Sequence, residues 1–185
     1  NVLRSGNEGA ALATLLLDAV KGWVPVFVIR HWGAQWGLDD GVAAVAGVAA
    51  FLGHLYPVFF GFQGGKGVAT AAGVLVGIAP WLGLATGATW LIIAVFFRYS
   101  SLSSLVAAFF APAYYLIGGG IAWPLSRTAL VAIIVMSLLL IWRHSANIQN
   151  LLAGKESRIG EKKGRGQEKG EGVKKGREKG EGRRG

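Results

Sequence analysis

Gly53-His54-Leu55-Tyr56-Pro57-Val58-Phe59-Phe60-Gly61-Phe62-Gln63-Gly64-Gly65-Lys66-Gly67-Val68-Ala69-Thr70 begins inside one apolar run and ends inside the next. At its centre, residues 63–67 form a glycine loop around a single lysine. Glycine permits positive φ and close approach of the backbone to a ligand. Successive amide N–H groups in such a turn can form a concave anion site. Val68-Ala69-Thr70 opens an apolar segment, so the loop is expected at a helix N-terminus, where the dipole also favours an anion. The pattern therefore supports a phosphate site at a membrane surface. It is equally compatible with a tight inter-helix turn and a snorkelling lysine. A Walker loop is excluded, because that motif requires Ser or Thr after the lysine and Gly67 stands there.

Gly53-His54, Pro57-Val58-Phe59 and Gly64-Gly65-Lys66-Gly67-Val68-Ala69-Thr70 together resemble the second motif of the bacterial acyl-phosphate:glycerol-3-phosphate acyltransferases. Members often carry lysine where this chain has Gln63. Asn1-Val2-Leu3-Arg4 resembles the end of that family's first motif, and Ser5-Gly6-Asn7-Glu8-Gly9-Ala10 is read as a decoy of it. On this resemblance, the family's first transmembrane helix and most of its first motif would precede Asn1.

Charge is segregated along the 185 residues. Lys155 to the end holds 12 of the 19 Lys and Arg and 6 of the 10 Asp and Glu. The remaining body is far poorer in charge than a soluble domain, in which about 25% of residues are charged. It reads as an all-α, polytopic transmembrane helix bundle. The net charge of +9 then reflects the tail and gives no reason to expect nucleic acid. With no cysteine, disulfides and cysteine nucleophiles are excluded. The three histidines lack metal-ligand spacing, and neither metal nor cofactor is expected.

Six apolar segments are expected: 10–32, 41–62, 68–79, 80–97, 101–117 and 123–142. With the family's first helix, the count would be seven. Most are long enough for a hydrocarbon core, which takes roughly 20 residues. Residues 68–79 would extend only about 18 Å as a helix. Asp18 and Lys21 share a helix face in the first segment. They form either a packing ion pair or, as ionisable residues inside a membrane often do, part of a functional site. The basic tail is expected in the cytoplasm. Counting back from it puts Arg4, the Lys66 loop, the turn at 98–104 and the chain after Trp142 on that one side. Residues 160–185, nearly repetitive and almost without apolar side chains, are expected to be disordered. They could contact anionic lipid headgroups. Residues 1–159 form the transmembrane domain.

His144-Ser145-Ala146-Asn147-Ile148-Gln149-Asn150-Leu151, followed by Gly154-Lys155-Glu156, resembles the family's third motif. His144 and Asn147 lie on one helix face and either converge on a polar substrate or bond at a helix end. The resemblance implies transfer of a fatty acyl group from acyl phosphate to the 1-hydroxyl of glycerol-3-phosphate, in a bacterial inner membrane. The other common glycerolipid acyltransferases use a His-x-x-x-x-Asp dyad. Here the fifth residue after His31, His54 and His144 is Trp36, Phe59 and Gln149. No covalent acyl-enzyme is therefore expected, and catalysis would rest on positioning and charge stabilisation. Gly64, Gly65, Lys66 and Gly67 are assigned to the phosphoryl group of acyl phosphate. Arg4, Ser101, His144 and Asn147 are assigned to glycerol-3-phosphate. Lys66, His144 and Asn147 are the catalytic candidates, and His54 stays open between a structural bond and the phosphate shell. Two other classes compete: a small anion transporter using Asp18 and Lys21, and a non-catalytic membrane scaffold.

Overall fold

The structure, a computed structural model, describes residues 8–161. Arg4 and most of the basic tail lie outside the described residues. Helix α1 spans Glu8–Trp32 and runs into a 3-10 turn, Gly33–Trp36. Then come α2 (Asp40–Leu55), a second 3-10 turn (Val58–Phe60), α3 (Val68–Ile78), α4 (Pro80–Phe97), α5 (Ser100–Gly118), α6 (Arg127–Arg143) and α7 (Ser145–Leu152).

The six expected apolar segments correspond to α1–α6, with boundaries set by local chemistry. α2 stops at Leu55 rather than continuing to Phe62, because Pro57 disfavours helical backbone in the residue before it. Gly61 then turns the chain at φ 61°. α3 and α4 are separated by Ala79 alone, with Pro80 in the first turn of α4, where its missing N–H is harmless. α6 starts at Arg127, not near Trp123. Pro124 resists helix there, and the Ser126 hydroxyl instead caps α6 by accepting from Ala129 N at 3.3 Å. Trp123 is half-buried against the bundle. Its indole donates to the Tyr115 carbonyl at 2.9 Å and its ring stacks on Tyr115.

Among the described residues, four helical stretches are individually long and apolar enough to span a membrane. α6 qualifies only together with α7, which bends away by 56°, and α3 is a shorter apolar helix. The packing is that of a membrane bundle. Alanines and serines of α2, α3, α5 and α6 are buried, while Leu12, Leu15, Leu17, Phe96, Phe109 and Leu138 are exposed. Lipid offers no hydrophobic drive between helices, so small residues at close contacts do that work. α3 packs mainly on α1. A Cβ at Gly22 would strike the Thr70 backbone, and one at Gly73 the Ala19 carbonyl.

The far end of α3 is closed by Arg30. Its guanidinium donates to the Ile78 carbonyl and, at 3.2 Å, to that of Gly77. It also pairs with Asp40 at 3.2 Å. A cation thus satisfies carbonyls that a helix C-terminus leaves without intrahelical partners. This fixes one end of α3 and leaves its N-terminus facing the glycine loop.

Candidate active site

The glycine loop sits at a helix N-terminus, as its sequence indicates. Gly67 is the N-cap of α3 with φ 80°, a value that favours glycine. Ala71 N donates to Gly67 O at 2.8 Å, so the amides ahead of it fall in the turn without intrahelical acceptors. The glycines also serve packing. A Cβ on Gly64 would collide with the carbonyls of His54 and Leu55, on Gly65 with the His54 ring, and on Gly67 with Phe51 and Leu55. One side of the loop is thus pressed onto the end of α2. From α6, Arg143 donates to the carbonyls of Gly64 and Gly65 at 3.0 and 3.3 Å, with its guanidinium 5.9 Å from the centre of the Tyr56 ring. Its Nε is buried without a partner.

Lys66 reaches across 81 residues of sequence. Its ammonium donates to Asn147 Oδ1 at 2.7 Å. Asn147 Nδ2 donates to Glu156 Oε1 at 2.7 Å, and Ser101 Oγ donates to the same oxygen at 2.7 Å. Four elements, the glycine loop, α7, the segment after it and α5, are therefore linked in one polar chain. Burial raises the Glu156 pKa, but the hydrogen bonds from Ser101 and Asn147 and the Lys66 charge outweigh it, and the carboxyl lies below its ordinary value. The segment beyond Glu156 is tied to the α4–α5 turn. Ile159 N donates to Arg98 O at 2.6 Å, and Arg98 donates back to Ile159 O at 2.9 Å.

His144 occupies the elbow just beyond α6 and is 2% exposed. Its Nδ1 donates to the Leu140 carbonyl at 2.8 Å. Because a carbonyl can only accept, this bond fixes the tautomer and leaves the lone pair on Nε2. Burial pushes its pKa down against the Leu140 bond, with Lys66 adding to the fall and Glu156 opposing it. The neutral ring is therefore the form present at pH 7.

Of the predicted residues, Lys66, Asn147 and Ser101 are joined directly or through Glu156. His144 stands at the same elbow, while Arg4 lies outside the described residues. Asp18 and Lys21 do pair, at 2.5 Å, but not alone. Lys21 also donates to His54 Nδ1 at 2.6 Å. The neutral ring then carries its proton on Nε2, beside Gly65. Glu156 and Arg143 were the residues that site reasoning passed over. The available signal was positional, since Glu156 falls within the stretch that resembles the third motif and Arg143 directly precedes it.

Residues 1–154 match the family described as glycerol-3-phosphate acyltransferase. The chain belongs to this family. It is 62% identical over 162 residues to the glycerol-3-phosphate acyltransferase of Albidiferax ferrireducens, covering 88% of this chain and 72% of the relative. Against that of Bordetella petrii it is 62% identical over 163 residues, with coverage of 88% and 76%. The fold resembles the crystal structure of PlsY, an integral membrane glycerol 3-phosphate acyltransferase, in its glycerol 3-phosphate form. There the TM-score is 0.77 and the identity 38%, over 86% of this chain and 76% of that one. A lysophosphatidic acid form of PlsY matches equally well, with a TM-score of 0.77. With these likenesses and its exposed apolar helices, the acyltransferase is a multi-pass membrane protein.

Proposed function

We infer that this chain transfers a fatty acyl group from acyl phosphate to the 1-hydroxyl of glycerol-3-phosphate, releasing lysophosphatidate and phosphate. The observation that carries this reading is the polar chain from Lys66 through Asn147 and Glu156 to Ser101, next in sequence to an apolar groove lined by Val68 after the loop and Ser104 after Ser101. That groove, of about 290 Å³, lies among α3, α4, α5 and α6, with Leu15 and Leu16 of α1 on its wall. Val68 and Ala69, the first residues after the glycine loop, line it. A donor with a phosphate head and an apolar tail fits this junction of cation and groove.

In this reading the loop amides and the Lys66 ammonium hold the phosphoryl group of the donor. Asn147, Ser101 and His144 orient glycerol-3-phosphate, with Arg4 as a further contact. The substrate hydroxyl attacks the acyl carbonyl and the C–O bond to phosphate breaks. The hydroxyl proton leaves on phosphate. Lys66 stabilises the charge that builds on the leaving group, a contribution made in the transition state.

His144 is assigned to positioning. A general base at this residue would lose activity as pH falls through its lowered pKa, and His144→Gln would abolish that acid limb with a loss of about 10²-fold or more. Positioning predicts instead that Gln retains part of kcat, raises the KM for glycerol-3-phosphate and leaves the pH profile unchanged. Turnover against pH for both proteins decides between the two.

The proposed topology has seven spans with the family's first helix included. The site and the C-terminus face the cytoplasm of a bacterial inner membrane, where the basic tail would meet anionic headgroups. The activity itself is tested in liposomes with palmitoyl phosphate and glycerol-3-phosphate. Lysophosphatidate and phosphate should appear in equal amounts. Phosphate flux across the bilayer without acyl transfer would overturn the reading in favour of a transporter.

A further inference from the structure

We propose that Gly87 on α4 is the residue that admits long acyl chains to the groove, and so sets the chain-length preference of the donor. The inference rests on the acyl-phosphate reading above and adds to it a residue with no part in the polar site.

Three helices give the groove the same depth. It is lined from Val68 to Leu75 on α3, from Ser104 to Ala111 on α5 and from Leu140 back to Ile133 on α6. Each interval is seven residue steps, or about 10 Å at the helical rise. Its wall is effectively apolar even where hydroxyls occur. Thr86 donates to Leu82 O at 2.8 Å and Ser104 to Ser100 O at 2.9 Å, both within their own helices. On α4, Trp90 is held level with the start of α5 by a 3.1 Å bond from its indole to Ser104 Oγ. Gly87 lines the groove about one turn deeper than Trp90. It thus lies between the phosphate end and the floor.

Gly87 differs from the packing glycines of the bundle. A Cβ at Gly73, Gly77 or Gly83 would collide with a neighbouring helix or residue, whereas one at Gly87 would meet nothing within 4 Å. Glycine is among the poorest residues for a helix interior, and here no close backbone contact requires it. What Gly87 supplies is space, and that space opens onto the groove. Gly87 is itself exposed, so a side chain there has room without displacing the protein around it, and at a lining position it would narrow the groove about one turn below Trp90. The atoms of a donor that reach only as far as Trp90 would be unaffected, and those of a longer chain would be turned away.

The test is kcat/KM for a graded series of acyl phosphates, hexanoyl to palmitoyl, with saturating glycerol-3-phosphate. The unsubstituted protein, Gly87→Ala and Gly87→Leu are compared. Gly87→Leu should lower the value for palmitoyl phosphate at least about tenfold relative to that for hexanoyl phosphate, the scale on which apolar pockets discriminate by size. Gly87→Ala should fall between the two. An unchanged length profile in an active Gly87→Leu protein would overturn the inference, and so would an equal loss at every length. Failure of the acyl-phosphate reading looks different: the unsubstituted protein would then transfer no acyl group from any member of the series.

Discussion

Lys66→Ala is expected to lower kcat/KM by about 10²–10³-fold, the usual result of removing one preorganised group aimed at developing charge. The ammonium meets Asn147 at 2.7 Å and stands on a loop whose shape is imposed by α2 and Arg143. Alanine would leave that loop intact, because the collisions that demand glycine arise at residues 64, 65 and 67 rather than at 66. The loss should therefore appear in turnover and donor affinity, not in folding or membrane insertion. Lys66→Arg should recover only part of it, since a planar guanidinium is not a compact ammonium. Normal kcat/KM in a properly inserted alanine variant would remove Lys66 from the site.

Glu156→Ala is expected to cost about 10²-fold in kcat/KM. It removes the shared acceptor of two hydrogen bonds, and bonds to a charged group are worth roughly 1.5–3 kcal/mol each. Ser101 and Asn147 would lose their common anchor. Glu156→Gln keeps an acceptor oxygen and should lose less. The carboxyl lies below its ordinary value of 4.5. Its contribution is present above that unfolded value and vanishes only as pH falls through the lower folded one. No Glu156 ionisation should then appear in the profile at neutral pH. Activity of Glu156→Ala within about threefold of the unsubstituted protein, a difference well under 1.4 kcal/mol, would show that Ser101 and Asn147 hold their places without it.

The helices were legible because apolar length and local breakers decide them. Pro80, Gly67 and the glycines at 118–120 mark boundaries in the sequence itself. The packing of Trp123 was not legible, because a tryptophan before a span has the same composition whether or not its ring finds a partner in the bundle. That partner, Tyr115, belongs to another helix. The glycine loop could be placed at a helix N-terminus from its own residues. Its second role, close packing on α2, depends on contacts with Phe51, His54 and Leu55 that spacing alone does not reveal. The Asp18–Lys21 pair followed from helical periodicity, but His54 lies 33 residues away from Lys21. Glu156 meets Ser101 across 55 residues. Such pairings are properties of the folded bundle, and no local pattern encodes them.

The placement of Glu156 has a consequence for biosynthesis. Chains leave the ribosome from the N-terminus, and their earlier parts organise first. Here the glycine loop and the Ser101 turn would be made well before the segment from Glu156 to Ile159 is translated. That last short piece links α5 to α7 and clips onto Arg98. A nascent chain still on the ribosome would hold a bundle with its two halves of polar machinery unlinked, and competence would arrive only as the final residues of the fold emerge.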